Sequence, residues 1–204
     1  MKIIWVFILS ICFGVLAKSQ PCSNFPWTAD TSSIVYTEVV QADSATQQQL
    51  YLRSQVWATN THRQSNIFSY NEDSIAGKIL WKGGFDAYFN YSNLYWKRLD
   101  GQWKINCAIE IYVKPGRYKY VIKNIYLYKK QITDYNPAFK IYGIETPTYE
   151  INIALEQLCA DNKSKKMLQF FNEIDTYIKN YIDNIKYYMQ GKTYTTMTPK
   201  QNEW

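Results

Sequence analysis

One histidine, His62, is the whole histidine content of this 204-residue sequence. A histidine-rich zinc site is thereby excluded, and a Ser-His-Asp or Cys-His mechanism would have to run through that single imidazole. His62 falls beside Asn60, Thr61 and Arg63, at the expected end of a helix. A partial positive charge suits that end of the helix dipole, so His62 is read as an exposed helix-end residue. Cysteine is scarce too: four residues, none in a C-x-x-C pair, which argues against structural zinc. Lys82-Gly83-Gly84 lacks the remaining glycine spacing and the Ser or Thr of a phosphate loop, and reads as a strand-ending turn. There is no internal repeat and no low-complexity stretch. One long apolar run exists, from Ile3 to Leu16, and it falls short of the roughly 20 residues of a membrane span. No metal and no cofactor is expected.

That apolar run has a different use. Lys2 gives it a positive start, Cys12-Phe13-Gly14 interrupt it, and Ala17-Lys18-Ser19 puts small residues where a signal peptidase reads. The layout predicts a secretory signal peptide over 1–19 and a mature chain starting at Gln20, exported to the periplasm, outer envelope or extracellular space. Losing Lys2 and Lys18 takes the net charge from +6 to +4, too mild to argue for nucleic acid. Cys22, Cys107 and Cys159 remain, so at most one internal disulfide forms, with three pairings open. Ser19-Gln20-Pro21 is a poor lead-in for lipidation of Cys22.

The mature chain divides into an irregular lead (20–32), one domain (33–190) and a polar tail (191–204). Ser33 to Gln41 is β-branched and aromatic, a first strand. Ser44-Ala45-Thr46-Gln47 fits a capping box, with Asp43 as an alternative cap, for a helix running to about Asn60. Leu50, Ser54 and Trp57 share one face of it. Asn66 to Tyr70 reads as a short strand, Asn71 to Ser74 as a turn, and Ile75 to Trp81 as a strand closed by Gly83-Gly84. Tyr88 to Leu99 is strand-like in part. Lys104 to Val113 alternates strictly, Lys114-Pro115-Gly116-Arg117 is a turn, and Arg117 to Tyr128 returns. Pairing Lys114 with Arg117 sets Ile111 opposite Tyr120, Ile109 opposite Ile122 and Ile105 opposite Tyr126. Tyr149 to Ala160 reads as a short helix. Lys165 to Met189 is the strongest helix, with Met167, Phe170, Ile174, Ile178, Tyr181, Ile185 and Tyr188 on one stripe, widened by Leu168, Phe171 and Ile182.

Three patterns in this order carry a resemblance: Gln47-x-x-Leu50-Tyr51-x-Arg53-x-x-x-Trp57, Asp73-Ser74-Ile75-Ala76-Gly77-Lys78-Ile79, and Gly116-Arg117-Tyr118-Lys119-Tyr120-x-Ile122-x-Asn124-Ile125. Together, over roughly Ile34 to Tyr128, they resemble an exported bacterial domain-of-unknown-function family with a TBP-like fold. The resemblance implies an α+β fold: a curved antiparallel sheet with an N-terminal helix and a long C-terminal helix packed on one face. It implies no catalytic residues and no DNA binding, because a fold name describes shape. The Phe85–Leu99 segment and the region after Gln131 depart from the compact family domain.

The remaining chemistry is sparse. Glu72-Asp73 and the set Asp86, Asp100 and Glu110 are the acids a glycoside hydrolase would draw on. They read as turn and surface acids, Glu110 being diagonal to Lys119 and Lys123. The sheet face opposite the helices is more promising. It is expected to show Lys104, Asn106, Glu110, Tyr112, Lys119 and Lys123, with Lys114 and Arg117 at the tip and Val121, Ile125 and Leu127 among them. Such a face suits an anionic glycan, a lipid headgroup or an envelope protein. Lys104, Tyr112, Lys119 and Lys123 are the expected ligand-binding residues. The expectation is a non-catalytic exported binding module. The alternatives are a carboxylate-based secreted hydrolase and an envelope assembly or scaffold protein.

Overall fold

The computed structural model describes residues 22, 24–30, 32–61, 69–90, 99–132, 148–161 and 165–192. The expected signal segment 1–19, His62, residues 91–98, the stretch 133–147 and the tail from 193 lie outside the described residues. In chain order the elements are β1 (Tyr36–Gln41), α1 (Gln47–Thr61), β2 (Ser69–Asp73), β3 (Lys78–Phe89), β4 (Gly101–Lys114), β5 (Arg117–Ile132), β6 (Thr148–Ala154), α2 (Leu155–Asp161) and α3 (Lys165–Met189).

All strands pair antiparallel in one sheet of order β1-β5-β4-β3-β2, with β6 also on β5. β5 is long enough for two partners on one side. β1 takes residues 117–122 and β6 takes 126–132, end to end. The expected α+β class holds, but the expected curvature does not. The sheet is open and uncurled: β1 and β2 lie at its two ends, and β3 and β4 pair from Lys78↔Tyr112 to Phe89↔Gly101 without a register shift. Curving a sheet takes bulges or glycine kinks repeated across strands. The β4–β5 pairing shifts register once, between Asn106 and Ala108.

That one shift corrects the hairpin. Ile111 faces Tyr120 and Ile109 faces Ile122 as expected, but Ile105 faces Leu127 and not Tyr126. The bulge puts Asn124 at φ +55°, a conformation asparagine tolerates better than most residues. One extra residue flips every later side chain to the other face. Ile125 and Leu127 are therefore fully buried in the core, and Tyr126 is exposed. The expectation that they sit on the outer face beside Val121 is overturned.

Other boundaries differ: β2 is Ser69–Asp73, where Asn71–Ser74 was expected as a turn, and β3 begins at Lys78 and not Ile75. β3 runs straight through Gly83-Gly84, which is no turn. A Cβ at Gly83 would meet the Trp81 ring, and one at Gly84 would meet Asn106 Oδ1 and Lys104 Cγ. These glycines answer to crowding within the sheet, a known use of glycine in strands. Helix α1 is capped by Thr46 and Gln49. The Gln49 amide donates to Thr46 Oγ1 at 3.2 Å, and the Thr46 amide donates to Gln49 Oε1 at 2.9 Å. This is a capping box two residues later than expected. Ser44 has φ +71° and so lacks the extended backbone of a cap. Of Tyr149–Ala160, expected as helix, the part up to Ala154 belongs to strand β6 and only the rest is helical, in α2.

Helix α3 spans Lys165–Met189 as expected, and its stripe is buried from Met167 to Tyr188; only Leu168 of the widening residues is exposed. It lies with α1 over one face of the sheet. Tyr181 stacks on Phe85 at 4.5 Å between ring centroids and meets Trp57 edge-on at 5.9 Å. Phe170 packs on Phe89 at 4.6 Å. Polar ties fix the register. Trp57 Nε1 donates to Asn184 Oδ1 at 3.0 Å, Lys186 pairs with Glu38 at 2.7 Å, and the Tyr36 hydroxyl donates to Asp175 Oδ1 at 2.7 Å. At the far end Arg53 donates to the Met189 carbonyl at 2.9 Å, where Gly191 at φ +79° ends the helix. Of the three open cysteine pairings, the disulfide is Cys22–Cys159. It ties the lead to α2, and Cys107 stays a free buried thiol.

Candidate binding face

Strand alternation sends one set of side chains toward α1 and α3 and the other outward. On the outer side, at the β4–β5 hairpin tip, lies a hollow of about 520 Å³. Its walls come from Val39 on β1, from Glu110, Tyr112 and Lys114 on β4, and from Arg117, Lys119, Val121 and Lys123 on β5. Each arrives by a local rule. The Pro115-Gly116 turn, with Gly116 at φ +74°, sets Lys114 against Arg117. Residues 119, 121 and 123 then follow at a period of two. β1 pairs Val39 with Lys119.

Glu110 organises the floor. It is 8% exposed, yet it lies on the outer side of the sheet. Lys123 Nζ sits 2.8 Å from Glu110 Oε1 and Lys78 Nζ 3.7 Å from Oε2, while the Tyr112 hydroxyl donates to Oε2. Lys78 also lies over the Tyr112 ring, 5.1 Å from its centroid. Burial pushes the Glu110 carboxyl pKa up. Hydrogen bonds from Lys123 and Tyr112 and the charges of Lys123 and Lys78 outweigh it, and the net direction is below the ordinary 4.5. Burial also pushes the Cys107 thiol up to about 12, so it is an inert core residue.

Of the four expected ligand-binding residues, the structure brings Tyr112, Lys119 and Lys123 together. Lys104 lies elsewhere, in a second outer hollow of about 240 Å³ shared with Asp86, Gln102, Tyr128 and Lys130. Lys123 and Tyr112 are committed to Glu110. Lys114, Arg117 and Lys119 make no ion pair among the described residues, which leaves three cations for a ligand. The expected Glu110–Lys123 pair is present, and Lys119 is not part of it. Lys78 and Val39 were missed from the sequence. Lys78 reaches Glu110 only because β3 starts there, and Val39 enters only through the β1–β5 pairing.

The acids weighed for hydrolysis are scattered. Glu72 accepts from Gln55 Nε2 at 2.7 Å and from the Tyr70 hydroxyl at 2.8 Å, and Asp73 accepts from the Ala76 amide at 2.9 Å. Asp86 pairs with Lys104, six residues along β4 from Glu110, about 20 Å at strand rise. That exceeds the roughly 5–10 Å between the carboxylates of a glycosidase. Among the described residues no group of three or more His, Cys, Asp or Glu could hold a metal, and no helix is long and apolar enough to cross a membrane.

No curated protein matches the chain in sequence. Two solved structures share its fold. One is a TBP-like protein from Parabacteroides distasonis, 16% identical, covering 79% of this chain and 95% of its own, with a TM-score of 0.54. The other is a DUF4468 family protein from Bacteroides ovatus, also 16% identical, covering 88% of this chain and 97% of its own, with a TM-score of 0.57. Residues 36–128 match the family model described as a domain of unknown function (DUF4468) with TBP-like fold. Over residues 36–128, a little under half of the chain, the sequence thus resembles the DUF4468 domain of TBP-like fold, and both solved structures of like fold agree with that resemblance.

Proposed function

We propose that this protein is an exported, non-catalytic binding module whose hairpin hollow takes an anionic ligand. The observation that carries the reading is the set Lys114, Arg117 and Lys119 around the hollow, beside a Lys123 already neutralised by Glu110. Val39 and Val121 add apolar wall, so the hollow offers charge and desolvation together. Export rests on the expected signal peptide over 1–19. The Cys22–Cys159 disulfide supports it, because such bonds persist in oxidising compartments.

The test is thermal unfolding of the chain Gln20–Trp204 against anionic glycans, lipid headgroups and peptidoglycan fragments. A ligand at a hundred times its Kd adds about 2.7 kcal/mol. The expected hit is salt-sensitive and is lost in a Lys114→Gln, Lys119→Gln variant, which spares the Glu110–Lys123 pair and keeps its own stability. A hit that this variant retains would overturn the reading. An assembly role is the second reading. It is favoured by β2, an end strand whose residues are all exposed, and by Ile75 beside it at 94% exposure.

A further inference from the structure

The two outer hollows lie on one track. The first is at the hairpin tip, and the second, with Lys104 and Lys130, is at the opposite end of β4 and β5. Between them, past the bulge, β5 turns Tyr126 outward, and Tyr128 lines the second hollow. Tyr126 is 43% exposed. From Lys119 to Lys130 the strand runs about 36 Å. A small anion needs one hollow. Two hollows with cations, joined by aromatic rings along one strand, suit a long ligand that alternates negative charge with flat apolar faces.

We propose that the ligand is an extended acidic polysaccharide lying along β5 from Lys119 to Lys130. This rests on reading the hairpin hollow as an anion site. Carboxylate or sulfate groups pair with the lysines at both ends, and the apolar faces of the sugar rings pack on Tyr126 and Tyr128. The interspersed acids Glu110, Asp86 and Glu150, the last opposite Lys130 and hydrogen-bonded to the Tyr128 hydroxyl, disfavour a uniformly charged duplex or bilayer, which rewards an unbroken positive field.

The experiment compares a short and a long oligogalacturonide by titration calorimetry, with a neutral dextran oligomer and phosphatidylglycerol vesicles as further arms. The long oligomer is expected to bind about a hundredfold more tightly than the short one, since it engages both hollows at once. The variant Lys104→Gln, Lys130→Gln is expected to lose that gain, keep the short oligomer's affinity and unfold at the same temperature as the parent. If the short oligomer binds but length adds nothing, or the gain survives in the variant, the extended track is overturned and the hairpin site stands. If neither oligomer binds, the polysaccharide is overturned, and if no vesicle binds either, the hairpin anion site falls with it. Binding to vesicles alone, or equal binding of neutral dextran, would also overturn the polysaccharide.

Discussion

At Glu110 one carboxylate decides what three neighbours can do. Its folded pKa is depressed, so its contribution to stability is full above the ordinary 4.5 and fades as pH falls through the lower folded value. Glu38 behaves alike, lowered first by its hydrogen bond from Lys186 and then by that from Tyr120. Thermal stability should therefore fall from about pH 5 downward. Glu110→Gln should flatten part of that acid limb and cost about 1 kcal/mol at neutral pH, a modest figure because Lys78 and Lys123 remain open to solvent. An unchanged pH profile would remove Glu110 from this role. Gly84 is a second single-residue control. Gly84→Ala drives a methyl into Asn106 and Lys104 and should cost about 1–3 kcal/mol by denaturant unfolding.

The bulge at Asn124 governs an element. Deleting Asn124 would remove the bulge and leave the phase unchanged, with Ile125 and Leu127 still inward and Tyr126 and Tyr128 still outward. Circular dichroism and near-ultraviolet spectra of the deletion variant should therefore show a cooperative fold, whereas one residue inserted after Asn124 should abolish it by turning Ile125 and Leu127 outward. Asn124→Gly should fold, because glycine accepts positive φ. The same bulge marks how far the sequence could be read. From the Pro115-Gly116 turn the register counts outward correctly, so Tyr112, Lys119 and Lys123 were found together. Beyond Lys123 the count slips. The clue lay in plain letters: Ile125 and Leu127 read as apolar residues on a charged face, which is the mark of a wrong phase. Helix α3 was legible to its ends because a 3.6-residue stripe over seven turns has no rival. Strand β6 was not, since Tyr149 to Ile153 alternates over too few residues to stand apart from the helix that follows it. Lys104 was placed on the right face but at the wrong end, because alternation reports face and says nothing of distance along the strand.

Across the whole molecule, the lead, the sheet and the helices are one packed unit. Phe25 meets Phe171 at 6.1 Å, the Ile34 amide donates to Glu156 at 2.9 Å, and Cys22–Cys159 closes a chain separation of 137 residues. Reducing that bond, or making Cys22→Ser, should destabilise the protein by about 2–5 kcal/mol. Scanning calorimetry with and without reductant checks this. Equal unfolding temperatures would show that the lead is held by packing alone.

Helix α3 lies wholly beyond residue 128, where the family match ends, yet it provides Tyr181 and Phe170 against Phe85, Phe89 and Trp57. The stretch recognisable by descent is therefore shorter than the stretch able to stand by itself. A fragment cut at that boundary would present a bare aromatic floor to water, and its stickiness would be easily mistaken for affinity. Homologues compared only over the shared segment would hide the same dependence, and with it the lesson that inheritance and autonomy have different borders here.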